Sequence, residues 1–190
     1  MNKTRLEAFS DGVIAILITI MVLELRIPEG AEWDAVRPVL PVFITYVFSF
    51  VVLGIYWNNH HHLIYAADRI TGTILWANLH LLFWLSLIPF ATGWMGRNSL
   101  APLPTAVYGA VLLLAAIAYT ILVRTIIMAE GPHSRLKEAI GSDVKAYASL
   151  AMYCAAIPLA FVDRRLAWAL YIGVLLIWFI PDRRIERRLQ

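Results

Sequence analysis

The chain has 190 residues, 61% of them hydrophobic and 15% charged, with 16 Lys and Arg against 13 Asp and Glu for a formal charge of +3. That composition, with its positive mean hydropathy, excludes an ordinary soluble domain and points to an integral membrane protein. The small positive excess reads as membrane topology, with no nucleic-acid partner, and a single cysteine, Cys154, excludes an intrachain disulfide or a thiolate metal cluster.

At the N-terminus, Arg5, Phe9, Ser10 and Asp11 precede an apolar run from Gly12 to Leu23, which Asp11 and Glu24 bracket. As a helix that run covers about 18 Å, against a hydrocarbon core about 30 Å thick. A spanning helix therefore draws one of its charged ends towards the membrane, where an ionisable residue costs about 2.5 to 3.5 kcal/mol and faces protein or water. The alternative is a carboxylate at headgroup level that caps the helix. Lys3 and Arg5 ahead of an apolar stretch suggest a signal peptide, but no small-x-small cleavage pattern follows Leu23, so the helix is read as retained.

Charge-free windows follow at Pro38 to Trp57, Ile70 to Gly96, Asn98 to Val123, Ala146 to Val162 and Leu166 to Pro181. The expected fold is all-α: one membrane domain over residues 1–190, a bundle of six transmembrane helices at approximately 5–26, 38–58, 70–96, 104–126, 143–162 and 165–181. The last two are short and are parted only by Asp163, Arg164 and Arg165, which also fits a re-entrant pair; the charged triplet supplies a polar turn and favours two helices. The inner connection from about Arg124 to Lys145 carries a turn at Gly131 and Pro132, with Ser142 and Asp143 as N-cap of the fifth helix.

An even number of spans puts both termini on one side. Eleven of the 16 Lys and Arg fall on that side, among them Lys3, Arg5, Arg69 and Arg124, leaving five outside: Arg26, Arg37, Arg97, Arg164 and Arg165. The positive-inside rule then predicts a multi-pass protein of the cell membrane with both termini cytoplasmic. The basic tail from Asp182 to Gln190 reads as a stop-transfer anchor, or alternatively as a contact for anionic membrane lipid. In the outer loop, Glu24, Glu29, Glu32 and Asp34 outnumber Arg26 and Arg37, four against two. The resulting negative charge concentrates cations if several chains gather round one axis, and is otherwise only a solvated loop.

Familiar chemistry is missing. His60, His61 and His62 are consecutive, so on a helix they point about 100° apart and cannot share one metal, and His80 meets them only through tertiary packing. There is no G-x-S-x-G elbow, P-loop or H-E-x-x-H, so no enzyme, cofactor or resident metal is expected. Neither an arginine-rich voltage sensor nor a TVGYG carbonyl filter is present, and the first-helix motif does not repeat within the chain. What remains are polar residues on apolar helices, with Phe9 among them: Arg5, Phe9, Ser10 and Asp11 on the first, Trp57, His60 and His61 closing the second, Asn78 and His80 on the third. In lipid such groups pair inside the protein, so they are read as a network that fixes the depth and rotation of the first helix, with ion or proton handling as the alternative.

The sequence Arg5-x-x-x-Phe9-Ser10-Asp11 and the apolar helix after it resemble the opening helix of the transmembrane protein 175 family, potassium-permeable channels of bacteria and animal lysosomes. The six-helix plan, Trp57-Asn58-x-His60-His61 and the Asn78-bearing third helix are similar as well. The resemblance implies a homotetramer of the bacterial form that passes potassium and other monovalent cations through a central pore lined by the first helices. It also implies a constriction made of apolar side chains, with Ile16, Ile20 and Leu23 at the constriction and Thr19 as its polar layer. At 100° per residue, Ile20 lies about 40° from Ile16 and Leu23 about 20° the other way, so one stripe holds all three, bordered by Gly12 and Thr19. The competing readings are a proton-coupled or other secondary transporter using Asp11 and the histidines, and a scaffolding protein without flux.

Overall fold

In the computed structural model, residues 3–131, 134, 136–137 and 144–179 are described. The Ser142–Asp143 cap, the turn at Pro132 and the basic tail lie outside them. The described chain is helical: α1 is Lys3–Ile20, continued by a 3-10 turn at Met21–Glu24, and α2 is a short helix at Trp33–Val36 in the outer loop. After it come α3 (Leu40–Ala66), α4 (Gly72–Ser86), α5 (Ile88–Arg97), α6 (Pro102–Glu130), α7 (Val144–Val162) and α8 (Arg164–Phe179).

Among the described residues, five helical stretches are long and apolar enough to cross a membrane: Lys3–Glu24, Leu40–Ala66, Gly72–Arg97, Pro102–Glu130 and Val144–Val162. The chain is a multi-pass membrane protein. Against the expected spans, the first ends at Glu24, because Leu25 turns to extended backbone. The second runs on to Ala66, so His60, His61 and His62 continue helix α3 instead of closing it near residue 58. The third is broken at Leu87 into α4 and α5. Pro89 stands in the first turn of α5, where its missing N–H leaves the ladder interrupted. The fourth runs to Glu130 and stops at Gly131, whose φ of +82° favours a residue without Cβ. The sixth expected span has 16 described residues, about 24 Å of helix.

One residue separates α7 from α8. Asp163 accepts from the backbone N–H of Arg165 at 2.8 Å through its carboxylate, which makes it the N-cap of α8 and accounts for so tight a corner.

The main packing partners of α1 are α3, α4 and α5, whereas α6 packs between α4 and α7, and α8 packs chiefly on α7. Buried polar groups join the layers. Ser49 Oγ lies 2.7 Å from Thr92 Oγ1 and 2.9 Å from Tyr108 Oη, linking α3, α5 and α6. Tyr171 Oη occupies the space beside Gly109 and donates to Thr105 O at 3.0 Å, which seats α8 on α6. In hydrocarbon, where water offers no alternative partner, such bonds fix helix register.

The two ends of the bundle differ. At the N-terminal end, Lys3 Nζ donates to Tyr65 O and Ala67 O at 2.5 and 3.1 Å, and Arg69 donates to Ala129 O, so each cation caps the carbonyl end of another helix. At the opposite end, Glu24 pairs with Arg97, and Arg164 donates to Ser99 O at 3.1 Å.

Candidate functional site

Helix α1 carries two unlike faces. Leu6, Ser10, Ile14 and Leu17 are buried, and Met21 at 1% exposure extends that stripe into the 3-10 turn. Round the helix, Phe9, Gly12, Ile16, Thr19, Ile20 and Leu23 face outwards. Ile16 is 59% exposed, Ile20 40% and Leu23 79%, which puts the three sequence-predicted constriction residues on the face that this chain leaves bare. Thr19 Oγ1 donates to Ala15 O and Ile16 O, both at 3.0 Å; its hydroxyl proton is spent on the helix backbone.

The 3-10 turn alters the stripe. Ile20, with φ −69° and ψ −24°, already has 3-10 dihedrals. At about 120° per residue, the three steps from Ile20 to Leu23 complete a turn, so Leu23 stands over Ile20 about 6 Å further along the axis. Uniform α winding, as assumed from sequence, leaves the two about 60° apart. By the same rule Glu24 stands over buried Met21, facing α5.

A chain of hydrogen bonds crosses the interior from α1 to α3. Asn78 Nδ2 donates to Ser10 Oγ at 3.0 Å, and His60 Nε2 lies 2.7 Å from Asn78 Oδ1. With the amide nitrogen committed to Ser10, Asn78 Oδ1 accepts, so His60 carries its proton on Nε2. Ser10, Asn78 and His60 are 0%, 0% and 1% exposed, which makes this the interior lock of α1. A second link is nearer the surface: Trp57 Nε1 donates to Asp11 Oδ1 at 2.9 Å.

The remaining network candidates stand elsewhere. His61 makes ring contacts with Trp57, His62 and Tyr65, at 6.3, 5.7 and 6.4 Å between centroids. His80 accepts from Trp84 Nε1 at 3.0 Å, one turn along its own helix. Arg5 and Phe9 are exposed on α1, and Arg5 has no hydrogen bond or ion pair to a described residue. No cluster of His, Cys, Asp or Glu suited to a metal occurs among the described residues.

Sequence reasoning missed the contact at the far end of α1. Glu24 Oε2 lies 2.7 Å from Arg97 Nη2, and its carboxylate presses on Gly93, where an added Cβ comes within 2.7 Å of it. The available signal was two opposite charges terminating the first and third expected spans on the same side.

The family described as the endosomal/lysosomal potassium channel TMEM175 matches residues 5–89. A potassium channel of Chryseobacterium sp. (strain P1-3) is 56% identical over 190 residues, covering 100% of this chain and 99% of that one. A potassium channel of Streptomyces collinus is 34% identical over 128 residues, 63% of this chain and 62% of the relative. Among solved structures, a crystal structure of a lysosomal potassium-selective channel TMEM175 homolog from Chamaesiphon minutus superposes with a TM-score of 0.79 at 24% identity, covering 95% of this chain and 97% of that one, a likeness of fold.

Proposed function

The chain belongs to the TMEM175 family, and from that premise we propose that it is a potassium-permeable cation channel of the bacterial cell membrane, assembled as a homotetramer with both termini in the cytoplasm. Permeation is passive. Four copies of α1 surround the axis, Ile16, Ile20 and Leu23 form the constriction, and Thr19 adds a polar layer beside it.

The observation that carries this reading is the bare stripe on α1. A helix locked through Ser10 on one face and open through Ile16, Ile20 and Leu23 on the other is completed by symmetry: a cyclic arrangement turns one exposed stripe into stacked rings. Its peripheral position supports the same arrangement, since a helix at the edge of one bundle can stand at the centre of four. Apolar rings act on ions through dehydration and gate by dewetting, and sodium holds its water more tightly than potassium, which sets the direction of preference. Six crossings per chain, with α8 as the last, keep the termini together.

A carrier reading needs a titrating group that the pathway reaches. Asp11 accepts from Trp57, and His60 is enclosed in the lock, so each has a structural task of its own. Purified protein in liposomes with a potassium gradient distinguishes the possibilities. Ohmic single-channel currents support the channel; saturating, proton-linked flux supports a carrier; tight liposomes support a scaffold.

A further inference from the structure

We propose that Arg97 is a positioning residue for the outer ring of the constriction. It holds Glu24 against α5, thereby keeps Met21–Glu24 wound as a 3-10 turn, and so keeps Leu23 in line with Ile20. The proposal rests on the reading of Ile16, Ile20 and Leu23 as the constriction.

The turn packs on α3 and α5 but has no side-chain cap of its own. Its first residue follows Ile20 with no side-chain cap, and at its end Leu25 enters extended backbone after one bond, Leu25 N to Val22 O at 3.0 Å. Isolated 3-10 turns give poorer hydrogen-bond geometry than α winding, so an outside contact decides between the two. Two contacts act on the buried side. Met21, at 1% exposure, anchors the first residue of the turn, and Glu24, three residues on, reaches Arg97 at 2.7 Å. Rewinding the segment as α-helix swings Glu24 about 60° away from Met21's side and hence from α5; the same change swings Leu23 about 60° off Ile20.

Gly93 and Arg97 act together on one carboxylate. The missing side chain at Gly93 lets the Glu24 carboxylate lie flat on α5, where a Cβ comes within 2.7 Å of Oε2 and 2.9 Å of Cδ. Arg97 is in the last turn of α5, where a cation is also favoured by the helix carbonyls, so it is held ready for its partner. Both members are part-exposed, at 52% and 36% of their side-chain surface. The pair therefore biases the turn modestly, and a loss of about twofold in the potassium-to-sodium permeability ratio is the expected scale.

The test is the reversal potential of reconstituted channels confirmed as tetramers by crosslinking, under a potassium–sodium gradient. Arg97→Gln and Gly93→Ala, one removing the charge and the other displacing the carboxylate, should both shift it towards non-selectivity. Arg97→Lys should restore most of the wild-type value, and exchanging the charges, Glu24→Arg with Arg97→Glu, should recover what each single reversal loses. Ile16→Asn serves as the reference for the constriction. If Ile16→Asn shifts the potential while Arg97→Gln and Gly93→Ala do not, Arg97 has no positioning role and the constriction stands. If Ile16→Asn is itself silent, the constriction reading fails and takes this proposal with it.

Discussion

Asn78 stands between Ser10 and His60 as the shared partner of both, donating to one at 3.0 Å and accepting from the other at 2.7 Å, with all three side chains out of reach of solvent. One amide thus settles both the rotation of α1 and the tautomer of His60. The link between Trp57 and Asp11, on a tryptophan 45% exposed, is a second and more accessible contact between the same helices.

The lock and the surface link should separate in a stability assay. Asn78→Ala strands two buried partners at about 1–3 kcal/mol each, whereas Asp11→Ala removes a half-exposed bond at the lower end of that range. In detergent, Asn78→Ala should lower the melting temperature and the tetramer yield more than Asp11→Ala, as read by thermal size-exclusion chromatography. Equal losses would remove the distinction. Selectivity of whatever Asp11→Ala assembles should match the wild type, and abolished proton coupling with normal assembly would instead favour a carrier.

His80 serves as a comparison for His60. Its bond to Trp84 stays within one exposed helix turn, so His80→Ala should change stability by less than about 0.5 kcal/mol. His60→Ala leaves Asn78 Oδ1 without a donor in the interior and should cost about 2 kcal/mol. Thermal or denaturant unfolding of the two variants in one detergent gives the comparison directly.

Ile16→Ala widens the proposed pore at every subunit, and Ile16→Asn adds polar groups that hydrate a passing ion. Conductance should rise in both, and the potassium–sodium reversal potential should move towards zero. Ile14 is 0% exposed, about 160° round the helix from Ile16 and clear of the 3-10 turn, so Ile14→Ala should cost about 2–5 kcal/mol of stability and leave the reversal potential near the wild-type value. Identical potentials for wild type, Ile16→Asn, Ile20→Asn and Leu23→Asn would mean that ions travel by another route.

The orientation is open to chemical labelling. With Cys154→Ala as background, a cysteine replacing Glu29 should react with a membrane-impermeant maleimide added to whole cells. A cysteine replacing Asp68 should react only after the cells are opened. The reverse pattern would place the N-terminus outside.

Much of the bundle was legible because burial in lipid leaves a plain hydropathy trace. The helix ends placed too early share a cause: polar residues end a hydropathy window without ending a helix, so Asn58, Asn59 and the histidines looked like a boundary while α3 continued to Ala66. The break at Leu87 went unread in a third span expected to run unbroken from 70 to 96, although Pro89, whose lack of an N–H is independent of tertiary context, carried the signal for it. Ser10, Asn78 and His60 could be shortlisted as polar groups in apolar helices, but the exclusion of His80 depended on which way α4 is turned. Least legible was the 3-10 winding beneath Leu23. Nothing in Met21–Glu24 itself demands it, and its outside contacts come from Gly93 and Arg97, some seventy residues further along the chain.

The single-residue corner at Asp163 bears on how the protein is made. With Arg164 already helical and Leu159 O still accepting from Asp163 N at 2.9 Å, there is no slack between α7 and α8 for one to cross the bilayer and wait for the other. With α8 as the sixth crossing proposed above, the two are expected to enter as a hairpin, carrying Asp163, Arg164 and Arg165 together at its tip. Release from the insertion machinery is then a joint event for the two helices, and lengthening this corner changes the order of biogenesis before it changes the finished fold.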